Sequence, residues 1–284
     1  MTGVLAAMVA VAAPLAAQGQ PAIAPSAAQR ATYVDLVTLA ERSEMAIKVE
    51  IRRQTAVSPE RSPGLKPGHV RLYMEATTLA LIAGTKGIGE SLVYLVDVPL
   101  DAKGRPPKFK KRQMILFANT VPDRPVTKRG QEIRLAGENA QLDYSPEFEA
   151  RLRPVLSSLV AADVPPRIER IADALAVPGT LAGESETQIF LATTDGSPVS
   201  ITVLRRPGLR PVWGVSWGEI IDSAARAPER NTLRWYRLAC SLPGELPSSA
   251  NLARDTGARR LAASDYAFVI SELGPCNREI TEAR

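Results

Sequence analysis

Between residues 45 and 57 apolar and charged side chains alternate, with Ile47, Val49 and Ile51 set against Lys48, Glu50 and Arg52. A period of two places one set on each face of an extended chain, so the segment reads as a half-buried strand. Strand-like runs recur at 69–83, 91–98, 113–118 and 132–135. Between them lie a Pro- and Gly-studded stretch at 58–68 and turn residues such as Ala83-Gly84 and Asp101-Ala102-Lys103-Gly104. Strands joined by short connections with no intervening helix predict an antiparallel β-barrel or sandwich over 33–143. A small OB-like barrel of about five strands suits that length.

The pattern changes at Asp143-Tyr144-Ser145-Pro146-Glu147. Ser145 as N-cap, Pro146 at the first helical position and Glu147 in the first turn start a helix. Phe148, Leu152, Val155, Leu156 and Leu159 form one apolar stripe along it, with Pro154 as a kink. Pro165-Pro166 opens a second helix-like piece through Ala176, closed by Pro178-Gly179. A three-stranded meander is predicted at 188–194, 199–205 and 212–217, its first turn being Asp195-Gly196-Ser197-Pro198. Helical patterns at 232–240 and 259–273 end the chain. The fold class is therefore α+β: a β domain over 33–143 followed by an α+β domain over 144–284.

The chain opens without a charged side chain from Met1 to Ala17, and residues 4–13 are small and apolar throughout. That run has the character of a signal-peptide h-region, with Leu15-Ala16-Ala17 as a cleavage site, although no basic side chain precedes it. It is short for a bilayer core of about 30 Å. The expected layout is a signal peptide at 1–17 and a flexible lead at 18–32. Cys240 and Cys276 are the only cysteines, with no C-x-x-C and one histidine in the chain. They fit one structural disulfide between the two C-terminal helices, or two reduced thiols if the chain is not exported. Arginine in excess of lysine, with abundant alanine and proline, points to a GC-rich bacterial genome. The expected location is then the periplasm or the exterior. A formal charge of +5 mildly favours anionic partners.

Two motifs carry resemblances to enzyme families. Residues 81–89, Leu-Ile-Ala-Gly-Thr-Lys-Gly-Ile-Gly, resemble the cofactor loop of short-chain dehydrogenases, in which backbone amides hold a pyrophosphate at a helix N-terminus. The segment that follows, 92–96, is strand-like, and no Tyr precedes a Lys by four positions, so a Gly-rich β-turn is the better reading. Gly214-Val215-Ser216-Trp217-Gly218 is similar to the nucleophile elbow of α/β-hydrolases. That resemblance implies a catalytic Ser216, yet the one histidine, His69, precedes it, the reverse of the family's order. A single imidazole also builds no multi-His zinc site. No metal and no cofactor are expected. Carboxylate pairs such as Glu184 with Glu186, or Glu219 with Asp222, keep a glycan hydrolase open as an alternative, because the separation of such acids belongs to the fold.

Binding has more support. Residues 103–112 concentrate charge on a Pro-stiffened loop between strands, and Lys108, Phe109, Lys110, Lys111 and Arg112 make a landing surface for an anionic polymer or glycan. The competing reading is a solvated hairpin whose charges protect an edge strand. Trp213 and Trp217 share one strand face with Val215, either as a stacking platform or as core. The expectation is an exported, non-catalytic binding or envelope-maintenance protein. The sequence leaves its ligand open, an anionic envelope polymer or a glycan being the expected kind; nucleic acid is not the expected partner in that compartment, and no further segment approaches a membrane span. A glycan hydrolase and an accessory subunit of an envelope complex are the alternatives.

Overall fold

The computed structural model describes residues 25–124, 126–218 and 225–282. The proposed signal peptide, Glu219 and Asp222 lie outside them. The last part of the proposed lead is a packed helical turn: Ser26 and Gln29 form a reciprocal capping box on α1 (Ala27–Arg30), and Ala28 and Ala31 are buried. A second helix, α2 (Tyr33–Arg42), starts at Thr32 with its own box to Asp35.

Among the described residues ten strands follow, in two sheets. In the first, β1 (Met45–Ala56), β2 (His69–Ala83), β3 (Ser91–Pro99), β5 (Gln131–Leu135) and β4 (Gln113–Thr120) are neighbours in that order, and β4 pairs back onto β1. The barrel is closed, with the strand order of an OB-like fold. One contact departs from the antiparallel expectation: β3 and β5 run parallel through Leu92↔Gln131 and Val93↔Glu132. Gly130 permits this closure, because a Cβ there would overlap the Ser91 carbonyl and its φ is +137°. β1 serves two partners because register shifts at Ala46/Ile47, Lys48/Val49 and Ile51/Arg53 coil it around the barrel. A short strand, β6 (Gln141–Asp143), extends the sheet beyond β4.

Ile47, Val49, Ile51, Met74, Leu92 and Leu116 fill the barrel. Tyr94 lies among them, and its hydroxyl donates to Gln141 Oε1 at 2.6 Å; burial pushes its phenol well above the ordinary tyrosine range. The run Met114-Ile115-Leu116-Phe117-Ala118 is buried on both faces. Met114, Leu116 and Ala118 point into the barrel, while Ile115 and Phe117 enter a second core. That is why β4 reads as continuously apolar rather than alternating.

The second core lies between helices and the second sheet. Helix α3 (Pro146–Leu159) starts at the Ser145 cap and runs through Pro154. The sheet is an antiparallel meander of four strands, β7 (Ile168–Pro178), β8 (Ser185–Thr193), β9 (Val199–Arg205) and β10 (Val212–Trp217). The piece expected as helix-like from Pro165-Pro166 through Ala176 is thus mostly strand, β7 covering 168–178. Register shifts at Ile168/Arg170 and Ile171/Asp173 space the inward residues Ile168, Ile171 and Ala174 by three, which imitates a helical period. Helices α4 (Leu233–Ala239) and α5 (Thr256–Leu273) complete the layer, and Trp235 Nε1 donates to the Leu273 carbonyl at 2.9 Å. Val34 and Val37 of α2, Phe117 of β4, Phe148 and Leu152 of α3, Ile189 and Ile201 of the sheet, and Tyr266 of α5 share this one core. It crosses the expected division at 143/144, and α2 belongs with it rather than with the barrel interior. Cys240, the C-cap of α4, is bonded to Cys276, two residues beyond the Gly274 C-cap of α5.

Candidate anion-binding surface

The basic loop lies between β3 and β4 at one end of the barrel, and its shape follows from its own polar groups. Asp101 Oδ1 accepts the N–H groups of Lys103 and Arg105, both at 2.8 Å, and its side chain pairs with the Arg105 guanidinium. The Arg105 backbone bond leads the effects that hold the Asp101 carboxyl below the usual aspartate range. Gly104, at φ +71°, completes that turn. Pro106 and Pro107 then carry the chain back to β1, where Gln54 clamps it. Gln54 Nε2 donates to the Pro107 carbonyl at 2.9 Å, and its Oε1 accepts the Phe109 N–H at 2.6 Å.

Phe109 is the anchor of this loop. Only 8% exposed, it packs into the barrel core and closes the end of the barrel. The ring expected among the landing-surface residues is therefore directed inward. A phenylalanine flanked by lysines has no other apolar surface to cover, and burying it stabilises the loop by roughly 1.5–3 kcal/mol. Beyond it the Lys111 N–H donates to the Ile51 carbonyl at 2.8 Å, and the Ile51 N–H donates to the Arg112 carbonyl at 3.0 Å. Lys111 adopts φ +68° to make this turn.

With the ring inside, the charged groups face out. Lys108, Lys110 and Lys111 are exposed and form no ion pair with any described residue. Arg112 differs: its guanidinium pairs with Asp143 and lies 5.3 Å from the Phe109 ring centroid. Arg52 and Arg53, also exposed, follow Ile51 on β1 and extend the basic surface. Arg53 stands opposite Glu75 of β2. The 58–68 loop reaches the same end, since the Gly68 carbonyl accepts the Leu100 N–H at 2.8 Å. Neither Gln54 nor Arg52 and Arg53 was singled out from sequence. Their only signal is that the alternation of β1 gives way there to three polar residues.

The two tryptophans are placed differently. In the β10–β9 register Trp213 faces Val203, Val215 faces Ile201 and Trp217 faces Val199, all on the side of the sheet that meets the helices. Both rings are half-buried at the margin of the second core. They are packing residues with partly exposed edges, and neither belongs to the barrel core that holds Phe109.

No protein-family model and no curated protein matches this chain. The residues alone therefore decide what each place can do. Ser216 is 1% exposed, in the interior of β10, with its hydroxyl unpaired among the described residues. His69 begins β2 of the barrel, its Nδ1 3.0 Å from the Pro67 carbonyl. Leu81, Ile82 and Ala83 end β2, and residues 84–90 make the turn that joins it to β3, a Gly-rich β-hairpin connection. Glu184 Oε2 accepts the Leu181 N–H at 3.3 Å and so ties down its own turn. Glu186, paired with Leu204 in the β8–β9 register, lies on the face of the sheet opposite the tryptophans. Among the described residues no three His, Cys, Asp or Glu side chains gather as a metal site, and no helix is long and apolar enough to cross a membrane.

Proposed function

We propose that this is an exported, non-catalytic binding or envelope-maintenance protein whose basic barrel end rests on an anionic polymer or glycan. The observation that carries this reading is the exposed triplet Lys108, Lys110 and Lys111, which forms no ion pair with any described residue and sits on a loop that Phe109 and Gln54 hold in place. A stiff loop loses little conformational entropy on binding, so its charges act together rather than one at a time. The same barrel end carries Arg52 and Arg53, and OB-like barrels commonly take extended polymers on their loops and on one sheet face. The Cys240–Cys276 bond supports a location in the periplasm or outside the cell, where disulfides persist.

Reversing Lys108, Lys110 and Lys111 together to glutamate is expected to weaken binding to a sulfated polysaccharide by on the order of tenfold at 0.15 M salt, with a shallower salt dependence. Elution from a dextran sulfate column across a NaCl gradient reads this directly. The matched control reverses Arg124, Lys128 and Arg129, exposed beyond the opposite end of β4, and should elute with the unmodified protein. Equal elution of both variants and the parent protein sinks the proposal.

A further inference from the structure

Away from the basic loop, four arginines line one cavity where α2, β7, α4 and the C-terminal segment meet. Arg42, Arg167, Arg237 and Arg278 line a cavity of about 400 Å³ together with Glu41 and Tyr236. Four positive charges therefore face one carboxylate. Glu41 Oε1 accepts from Arg237 Nη1 at 2.6 Å and lies 3.1 Å from Arg167 Nη2. Arg237 is only 5% exposed and also donates from Nε to the Pro165 carbonyl at 3.2 Å. Arg42 Nη2 donates to the Glu282 carbonyl at 3.2 Å. Arg278 has a buried Nε and makes no hydrogen bond or ion pair with any described residue.

An unpaired guanidinium in a recess is costly, and its neighbours of like charge push it toward solvent. The chain nevertheless pins Arg278 in place from both sides. Cys276, two residues before it, is bonded to Cys240, which itself lines the cavity. Immediately after it, the N–H groups of Glu279, Ile280 and Thr281 donate to the buried Asp35 carboxylate at 3.0, 3.3 and 2.9 Å. A covalent clip and a buried anion thus hold a cation that has no partner among the described residues, beside three others. Thr38 and Ser241 add hydroxyls to the wall, and Thr38 Oγ1 lies 3.3 Å from the Tyr236 hydroxyl.

We propose that this cavity binds a compact phosphoryl group, a diphosphate or phosphate ester, through Arg278, Arg237 and Arg167. The planar fork of arginine matches phosphate oxygens two at a time. The excess of three positive charges suits a multiply ionised group better than a single carboxylate. A volume of this size falls within the range of small-molecule sites, about 300–1,000 Å³. The ligand is small and its site lies in the helical layer, so the inference stands apart from polymer binding at the barrel end.

Isothermal titration of the full chain, disulfide intact and ionic strength held constant with NaCl, tests it with sodium pyrophosphate, inorganic phosphate and citrate. Pyrophosphate is expected to bind with a micromolar Kd, phosphate more weakly, and citrate on the order of tenfold more weakly than pyrophosphate. Arg278→Ala should lower pyrophosphate affinity on the order of tenfold, with unchanged circular dichroism, and Arg278→Lys should restore only part of it. Arg167→Ala, at a half-exposed side chain, gives a second, independent loss. The Lys108, Lys110 and Lys111 reversal should leave this affinity unchanged, which separates failure here from failure at the barrel end. Absence of pyrophosphate binding at about 1 mM, citrate binding as tightly as pyrophosphate, or affinities unchanged in both arginine variants would overturn the proposal.

Discussion

Asp35→Ala is expected to destabilise the fold by about 4 kcal/mol, since two or more buried donors lose their acceptor at roughly 1–3 kcal/mol each. The side chain is 0% exposed and accepts at both ends of a long-range tie. From α2 it takes the Thr32 N–H and hydroxyl, each at 2.9 Å. From the C-terminal segment it takes three backbone N–H groups and the Thr281 hydroxyl, the last at 2.6 Å. The carboxylate joins donors from two distant segments, so the loss exceeds that of an ordinary helix cap. Urea unfolding followed by circular dichroism measures it, and a change below about 1 kcal/mol contradicts the tie.

Asp35 also carries a pH signature. Burial raises its pKa, but hydrogen bonds from Thr281, Thr32 and Glu279 outweigh that effect and leave the carboxyl below its ordinary value. A depressed folded-state pKa means that the contribution is complete above the unfolded value of about 3.9 and is lost as pH falls through the folded value. The stability gap between the parent protein and Asp35→Asn should therefore be constant from neutral pH down to about 5 and close below 4. Other carboxylates shift too, but they are common to both proteins and cancel in the difference.

Removal of the disulfide is the second large effect. Cys240 and Cys276 are 36 positions apart, and the chain-entropy relation for a loop of that length gives about 4 kcal/mol. Cys240→Ser with Cys276→Ser is expected to lower the urea midpoint accordingly, and adding reductant to the parent protein should produce the same shift. Maleimide labelling of the parent protein in denaturant without reductant should find no free thiol. Labelling of both cysteines would count against the bond and against an oxidising compartment together.

These effects come from parts of the chain that differ in how plainly they could be read. Most strands were legible because each lies at a surface between a core and water, so that alternation survives, as in β2 and β9. The α3 start was legible from Ser145 and Pro146 alone. α2 was not: Asp35, Thr38 and Arg42 do fall on one side of it, but Val34, Asp35, Leu36, Val37, Thr38 and Leu39 are all buried, so that side meets protein rather than water. β7 was misread because its bulges replaced a period of two with one of three.

The landing surface divides the same way. Charge is local, so the lysines at 108, 110 and 111 were visible as a cluster, and the cysteine count alone implied one bridge. Which way Phe109 points, and which face of β10 meets the helices, depend on neighbours supplied by other segments. Local order thus specified most strand positions, the α3 cap, the disulfide pair and the basic loop. Tertiary structure decided the closure of the barrel, the inward turn of Phe109 and the merging of both halves around one core. It also assembled the arginine cavity, whose members at 42, 167, 237 and 278 have no sequence proximity. Periodicity reports how residues alternate along one element, whereas a site is made by which elements the chain brings together.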